Sequence, residues 1–286
     1  MISKHILLPT DFSSNARNAI DYGITLFSKE ECVFYVLNAF EVGASGLSST
    51  MGKAKNTRLY RAIKEESKRN VTSLLEELNT NSNNPLHKFE GLSLSDSLLH
   101  AVGKTIIDYS ISYVFMGSKG SSAIKEVFIG SSTVSVIKHI DFCRLVVVPE
   151  NYSFQIPKQI AFATNFEHVY SKIELVPLFN LASLWDSEIV IVHVHKGKEL
   201  TQQQKTCKNI LVERLDSICL SFIEVPGASK VSDTIQLFTS EHTDVGMIAM
   251  VNYWHSFFNK LTTENVINRV AFQTKVPFLV FPLIDP

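Results

Sequence analysis

Short apolar runs alternate with amphipathic stretches along the first half of the chain. The apolar runs include Ile6–Leu8 and Cys32–Phe40, and between them residues 15–28 carry apolar side chains at helical spacing. A long charged and amphipathic stretch then covers residues 56–79. Apolar runs of this kind predict buried strands, and spacings of three and four predict helices. The pattern therefore predicts strands and helices in alternation.

The rest of the first half continues this alternation. Residues 87–92 predict a strand, and the next helix is predicted to begin at Ser95 or Asp96. Two more strands, at 112–117 and 144–148, flank a further predicted helix. Strands that alternate with helices imply parallel crossover connections, and continuously apolar strands fit a sheet that is covered on both faces. We therefore predict an open α/β sheet.

The second half repeats the order of elements found in the first. The stretch KQIAFATNFE, from Lys158, matches KHILLPTDFS, from Lys4, and a helix pattern and a second strand follow in both places. The last strand, in VPFLVFP, likewise matches CRLVVVP. Weak identity with a constant order of elements indicates an internal repeat. We interpret the chain as two copies of one domain, residues 1–150 and 151–286.

The composition is that of a folded protein without a strong electrostatic preference. The chain has 286 residues, of which 45% are hydrophobic and 19% charged, and its formal net charge is −1. This length accommodates two domains of ordinary size. A near-neutral chain offers no broad basic surface for nucleic acid or for an anionic membrane. We therefore predict neither a nucleic-acid partner nor a membrane partner.

The cysteines and the N-terminus indicate a cytoplasmic protein. The chain has four cysteines and no C-x-x-C pair, so neither a zinc knuckle nor a thioredoxin-like site is predicted. Scattered cysteines in a chain of this length are typical of reduced core residues. The first residues lack the longer apolar region and the cleavage site of a signal peptide.

The stretch MGSKGSSAIKEVFIGSS is the strongest candidate for ligand chemistry. Gly117 ends a strand, where ligands of open α/β sheets usually bind, and Gly120 lies in the following loop. Gly130 immediately precedes a predicted helix, whose free N–H groups suit a phosphate. The hydroxyls of Ser131 and Ser132 add donors. An ordinary turn before a helix is the structural alternative.

Asp11, in PTDF at the end of the first strand, is the second candidate. Its carboxylate suits ribose hydroxyls or a magnesium ion that bridges phosphates. The alternative is a role as a helix N-cap, for which Asp11, Ser13 and Ser14 are all suitable. The presence of PTDF and the glycine stretch in the same domain favours a nucleotide site.

These residues resemble the universal stress protein family. The shared features are the spacing G-x2-G-x9-G-S, the strand-terminal PTDF and the domain length, and the arrangement is similar to that of tandem, two-domain members. The resemblance implies, in each domain, a five-stranded and mostly parallel sheet with helices on both faces. Some members of the family bind ATP, so the resemblance also implies ATP or a related adenine nucleotide, with Mg²⁺.

The resemblance also implies a set of ligand contacts. The residues expected at adenosine and ribose are Pro9, Thr10 and Asp11. Asp11 is also the candidate metal ligand, on the chemistry of its carboxylate. The residues expected beside the adenine are Ala39 and Met116. The residues expected at ribose and phosphates are Gly117 and Gly120, and those that would hold the phosphates are Gly130, Ser131 and Ser132.

The second half keeps the spacing of this motif but loses its residues. Asn165 stands at the position of Asp11, and the three glycines are replaced by Val251, Trp254 and Glu264. Valine and tryptophan bring bulk where the backbone must approach a ligand. A glutamate also puts a negative charge where a phosphate would sit. We therefore expect that the second domain does not bind ATP in the same manner.

Two other patterns allow both a functional and a structural interpretation. His193 and His195 point to the same face of a strand, as in a metal pair, but no third ligand is near, and polar residues at a sheet edge are the alternative. The aromatic and apolar residues of 253–261 fit a core, a domain contact, an exposed binding surface or a filling of the second domain's vestigial pocket. No G-x-S-x-G elbow is present, so a hydrolase triad is unsupported.

The favoured function is a cytoplasmic sensor or regulator that binds ATP through its first domain. We find no general base for hydrolysis, so any ATPase activity is expected to be slow. The family implies pairing through last strands, which here are residues 144–148 and 278–281 of one chain. A homodimer and an unidentified regulatory protein are further expected partners.

Two alternatives stay open at this point. The first is a nucleotide-independent interaction protein of the same fold. The second is a nucleotidyl or phosphoryl transferase. The nucleotide itself is also left open among ATP, ADP, AMP and a cyclic nucleotide, because the expected contacts concern features that these share.

Overall fold

The computed structural model describes residues 3–41, 57–118, 131–140, 142–195, 197, 199–227, 230–252 and 266–283. Within these ranges the chain forms ten strands and eight helices. None of the helices in this part of the chain is long and apolar enough to cross a membrane.

Strands and helices alternate through both halves, as the sequence predicts. The elements of the first half are β1 (Lys4–Pro9), α1 (Ser14–Leu26), β2 (Cys32–Phe40), α2 (Arg58–Asn81), β3 (His87–Ser95), α3 (Leu98–Asp108), β4 (Tyr113–Gly117), α4 (Ser131–His139) and β5 (Arg144–Val148). The elements of the second half are β6 (Gln159–Ala163), α5 (Lys172–Trp185), β7 (Glu188–His195), α6 (Gln202–Arg214), β8 (Leu220–Pro226), α7 (Val231–Glu241), β9 (Val245–Asn252), α8 (Val266–Gln273) and β10 (Phe278–Pro282).

The ten strands form one sheet in the order β3-β2-β1-β4-β5-β10-β9-β6-β7-β8. All neighbouring strands within each half are parallel, and the two halves have the same strand order. The halves join through β5 and β10, which pair antiparallel, with Leu279 opposite Val146. The predicted α/β class is confirmed, and the two five-stranded sheets are continuous through the predicted pairing of the last strands.

The sheet is buried on both faces by two large apolar clusters. Ile6 and Leu8 of β1 belong to one cluster, and Leu7 between them belongs to the other. Successive side chains of a strand point to opposite faces, so a continuous apolar run serves both clusters. Each cluster also contains residues of both halves, such as Phe162 in the first and Ile248 in the second.

The start of α3 differs from the prediction. Neither Ser95 nor Asp96 is the N-cap, because Ser97 caps the helix and accepts a hydrogen bond from the backbone of His100. Ser95 instead ends β3, where it pairs with Phe40 of β2. The strand pairing with β2 therefore extends β3 beyond the predicted residues 87–92 and delays the helix.

Aromatic side chains join the two halves on one face of the sheet. The ring of Phe154, between the halves, lies 5.5 Å from Tyr22 and 5.6 Å from Trp185. Trp185 Nε1 donates to the carbonyl of Leu26 at 3.0 Å, and Lys29 Nζ lies 4.1 Å from the centre of the Trp185 ring. These contacts tie α1 of the first half to α5 of the second.

Candidate functional site

The candidate site lies where the strand order of the first half reverses. From β1 the chain passes to β2 on one side, and it later reaches β4 on the other side of β1. Carboxyl ends of strands at such a point leave a crevice, where ligands of open α/β sheets bind. Leu7 pairs with Val114, so Pro9 at the end of β1 lies level with Met116 in β4. Two predicted site residues that are distant in sequence therefore lie at the same edge of the sheet.

The loop after β1 is a tight turn held by its own side chains. Thr10 is buried, and its backbone N–H donates to Leu37 of β2 at 2.8 Å. Its Oγ1 accepts from the N–H of Phe12 at 2.9 Å, and Asp11 Oδ1 accepts from the N–H of Ser13 at 3.0 Å. Short polar side chains that bond the backbone two residues on are typical of such turns. The predicted residues Thr10 and Asp11 thus shape the backbone beside the crevice.

Asp11 is not the N-cap of α1. That position is occupied by Ser13, whose hydroxyl accepts from the N–H of Ala16 at 3.2 Å. Phe12, between them, has a φ of 63°, in the left-handed region that non-glycine residues rarely adopt. The N-cap interpretation of Asp11 is therefore wrong, and its exposed side chain lies beside the end of β1.

A buried polar network supports this turn from behind. Asn38 Nδ2 donates to the carbonyl of Thr10 at 2.7 Å, and Asn38 Oδ1 accepts from Ser67 Oγ at 2.7 Å. The hydroxyls of Ser67 and Ser93 lie 2.7 Å apart. This network was not predicted from the sequence, although polar residues within otherwise apolar strands are the signal that reveals it. It fixes the loop after β1 to β2, α2 and β3.

The end of β4 is tied to the start of α4. Thr133 is buried, and its Oγ1 donates to the carbonyl of Gly117 at 2.9 Å. The N–H of Ser118 donates to Val148 of β5 at 2.8 Å. The first turn of α4 therefore lies at the carboxyl end of β4, the edge that carries the crevice. The first N–H groups of a helix have no partner within the helix itself.

The other predicted site residues are placed as follows. Ala39 is half-buried near the end of β2, next to β1, and Ser132 is exposed in the first turn of α4. Gly120, Gly130 and the side chain of Ser131 lie outside the described part of the molecule. Their expected phosphate contacts therefore stay predictions.

The charged side chains of α1 closest to the loop after β1 form ion pairs within the protein. The guanidinium of Arg17 contacts Asp21 at 2.9 Å and Glu77 of α2 at 2.8 Å. The hydrogen bond with Glu77 is the main cause that raises the pKa of Arg17, and Arg17 in turn lowers the pKa of Glu77. Arg17 is therefore already neutralised by two carboxylates of the protein.

The histidine pair of β7 has a structural explanation. His193 is buried and its Nδ1 donates to the carbonyl of Thr164 at 3.0 Å, while His195 Nδ1 accepts from the N–H of Gly197 at 3.3 Å. Among the described residues, no group of three or more His, Cys, Asp or Glu side chains is arranged to hold a metal ion. These contacts favour the interpretation as polar residues at the sheet edge.

The second half builds the same turn after β6. The N–H of Thr164 donates to Val192 at 3.0 Å, and its Oγ1 accepts from the N–H of Phe166 at 3.1 Å. Asn165 Oδ1 accepts from the N–H of Glu167 at 3.1 Å, and Phe166 has a φ of 56°. Each of these contacts has a counterpart in the loop after β1, so the backbone of the loop is shared although its residues differ.

The loop of the second half is more tightly packed than that of the first. Phe166 is 1% exposed, whereas the corresponding Phe12 is 38% exposed. The ring of Phe166 lies 5.0 Å from His193, and Gln204 of α6 donates to the carbonyl of Asn165 at 2.9 Å. The replacements Trp254 and Glu264, like the rest of the segment 253–261, lie outside the described residues. The described part of this loop is thus packed against, and hydrogen-bonded to, side chains of β7 and α6.

The comparisons with known proteins agree on one family. The model of the universal stress protein family matches residues 3–149. Universal stress protein MJ0577 of Methanocaldococcus jannaschii is 27% identical over 166 residues, which cover 52% of this chain and 96% of that protein.

Solved structures match both the whole chain and one half of it. A universal stress protein from Archaeoglobus fulgidus matches 97% of this chain and 96% of its own, with a TM-score of 0.70 and 16% identity. This likeness shows that the fold of the whole chain is shared. A universal stress protein in complex with cAMP matches 52% of this chain and 98% of its own, with a TM-score of 0.38 and 14% identity.

Proposed function

Because the chain belongs to the universal stress protein family, we propose that its first half binds an adenine nucleotide and that the protein acts as a sensor or regulator in a stress response. The observation that carries this proposal is the crevice between β1 and β4. Pro9, Thr10 and Asp11 lie at one side of it, and Met116 and Gly117 lie at the other.

Different parts of the crevice suit different parts of the nucleotide. The adenine would lie between Ala39 and Met116, and the ribose hydroxyls would donate to Asp11. The triphosphate would lie at the N-terminus of α4, where free N–H groups and the hydroxyl of Ser132 are available. Gly117 lets the backbone come close to the ligand.

As the alternative to its ribose contact, Asp11 would hold a magnesium ion together with the phosphates. When bound, the ion would neutralise part of the phosphate charge. The exposed carboxylate of Asp11 and the hydroxyl of Ser132 are oxygen donors that fit this ion. Hydrolysis needs a general base to activate water. Asp11 would be occupied by the ion and hydroxyls are poor bases, so we expect ATP hydrolysis to be slow.

We further propose that residues 1–150 and 151–286 form a tandem of two domains, of which the first alone binds the nucleotide. The identical strand order of the halves and their shared loop geometry support the tandem. In the second half Val251 replaces Gly117 and is 1% exposed, and Asn165 replaces Asp11. We expect a branched side chain at this position to hinder the close backbone approach that glycine allows.

The test is a calorimetric titration with Mg-ATP of the unmodified protein and of the double variant Asp11→Asn, Gly117→Val. We expect one nucleotide per chain, and an affinity at least about tenfold lower in the variant, because a hydrogen bond to a charged group and the close approach are both lost. The matched control is Asn165→Asp, which restores the carboxylate only in the second half and is expected to change nothing.

Three outcomes would count against the proposal. Two nucleotides per chain would contradict the assignment of the site to the first half alone. An equal loss of affinity in the control would show that the second loop takes part. No binding by folded, nucleotide-free protein would favour a nucleotide-independent interaction protein. Parallel titrations with ADP, AMP and cAMP would identify the preferred nucleotide.

A further inference from the structure

Helix α4 runs from the edge of the sheet where the strands of the first half end to the edge where the strands of the second half end. Because β5 and β10 are antiparallel, the carboxyl ends of the two sets of strands lie at opposite ends of the sheet. Helix α4 leaves the carboxyl end of β4 and returns to the start of β5. Its nine residues span about 13 Å at 1.5 Å per residue. Its C-terminus therefore lies at the end of the sheet where β9 and β10 finish.

The strand register locates this meeting point. Asn252, the last residue of β9, pairs with Pro282 of β10. In the antiparallel junction Val280 pairs with Leu145, and continuing the same register brings Pro282 level with Cys143, just before β5. Asn252 of the second half is thus two strands away from the segment in which α4 ends.

A hydrogen bond crosses between the halves at this point. Asn252 is 5% exposed, and its Nδ2 donates to the carbonyl of Ile137 at 3.2 Å. Ile137 lies in the last turn of α4, where carbonyls lack a partner within the helix. The side chain of the second half therefore caps the helix of the first half.

The rest of α4 is held as firmly. Val136 and Ile137 are buried in the same apolar cluster as Ile248 and Val270 of the second half. At the other end of the helix, Thr133 bonds the carbonyl of Gly117. Since the helix is short and its two ends are bonded to different halves of the chain, we expect a shift of its C-terminus to disturb the N-terminus at the crevice.

We propose that Asn252 is a positioning residue for the phosphate end of the nucleotide site, so that the second half supports nucleotide binding by the first without binding nucleotide itself. The inference rests on the proposed function. In this inference the second half has a physical role. It supplies the apolar surface under α4 and the Asn252 amide that caps this helix.

The test compares ligands that do and do not reach α4. In Asn252→Asp the side chain keeps its size, but the donor is lost and a negative charge is placed at the negative end of a helix. We expect the affinity for Mg-ATP to fall by up to roughly tenfold, the value reached if binding must restore all of the free energy that the lost hydrogen bond contributed to holding α4 in place. Affinity for adenosine should stay unchanged, because adenosine has no phosphate at α4.

The control and a second variant separate positioning from folding. Thr239→Val removes a bond to a backbone carbonyl within α7 of the second half and should leave both affinities unchanged. If Asn252→Asp does not fold, Asn252→Ala removes the donor without adding charge. Equal losses for ATP and adenosine, or no loss for either, would overturn the inference.

Hydrogen exchange without nucleotide provides an independent readout. Amides of α4 should exchange faster in the Asn252 variant, whereas those of α1 and α5 should not change. Unchanged exchange in α4 would sink the inference whatever the titrations show. If the unmodified protein binds no nucleotide, the proposed function fails, and exchange alone decides whether Asn252 positions α4.

Discussion

The single residues that shape the candidate site are mostly buried, neutral and hydrogen-bonded. Asn38 and Ser67 form a relay to the carbonyl of Thr10, with both bonds at 2.7 Å. A hydrogen bond of this kind contributes about 1 kcal/mol net, but a buried acceptor left without its donor costs about 1–3 kcal/mol. The loop after β1 therefore depends on side chains that would not themselves touch a ligand.

Replacing Ser67 by alanine tests this dependence. Asn38 Oδ1 would lose its donor, so we expect Ser67→Ala to lower the free energy of unfolding by about 1–3 kcal/mol in urea titrations. The matched control is Ser73→Ala, the same substitution at an exposed position of α2, with an expected change within about 0.5 kcal/mol. Equal effects of the two substitutions would contradict the structural role of the network.

At the scale of elements, the two loops that follow β1 and β6 share a backbone but not a packing. Both place a phenylalanine at a positive φ, 63° at Phe12 and 56° at Phe166. Phe166 packs against His193 and lies in the core cluster, whereas Phe12 is partly exposed. The turn is therefore determined by Thr10 or Thr164, and the phenylalanine serves a different purpose in each half.

The difference predicts unequal costs for the same substitution. We expect Phe166→Ala to lower the free energy of unfolding by about 3–5 kcal/mol, because it removes a buried ring and leaves a cavity. Phe12→Ala is expected to cost less than about 1 kcal/mol, because its ring is already partly in water. The two variants share the backbone conformation, so each controls for the other. A larger cost at Phe12 would contradict this account.

At the scale of the whole molecule, one sheet and two apolar clusters unite the halves. A cysteine thiol and two tyrosine hydroxyls, which ordinarily ionise at alkaline pH, are buried in these clusters. Burial raises the pKa of the Cys143 thiol to about 12 and raises the pKa values of Tyr22 and Tyr113 well above their usual range. These groups stay protonated in the folded protein at a pH where the unfolded chain ionises them. The unfolded state then binds fewer protons, so stability falls as the pH rises.

We therefore expect the free energy of unfolding to decrease between about pH 9 and 11, above the ordinary pKa of a thiol and through that of a tyrosine. Urea titrations under reducing conditions at several pH values would measure this. Cys143→Ala removes one of the groups and should make the decrease less steep. A parallel decrease in the variant and the unmodified protein would show that the Cys143 thiol does not contribute.

The sequence supported much of the fold because the decisive signals are local. The run Ile6–Leu8 and its continuation PTD predict a buried strand that ends in a loop, and both are found at β1. The start of α3 was predicted too early, because the pairing of Ser95 with Phe40 involves a distant strand. The bonds between Asn38, Ser67 and Thr10 were missed for the same reason.

By itself the sequence determined the alternation of strands and helices, the repeated order of elements and the residues at the ends of β1 and β4. These depend on side-chain polarity and on spacing within a few turns of the chain. The junction that joins the halves in one sheet was expected only from the family resemblance. Only the tertiary structure decided that Ser13, rather than Asp11 or Ser14, caps α1 and that Asn252 caps α4. The last contact joins residues 115 apart, and its energy comes from a carbonyl and an amide that water no longer reaches. No local pattern encodes such a pairing, because it exists only after the antiparallel junction has brought the two ends together.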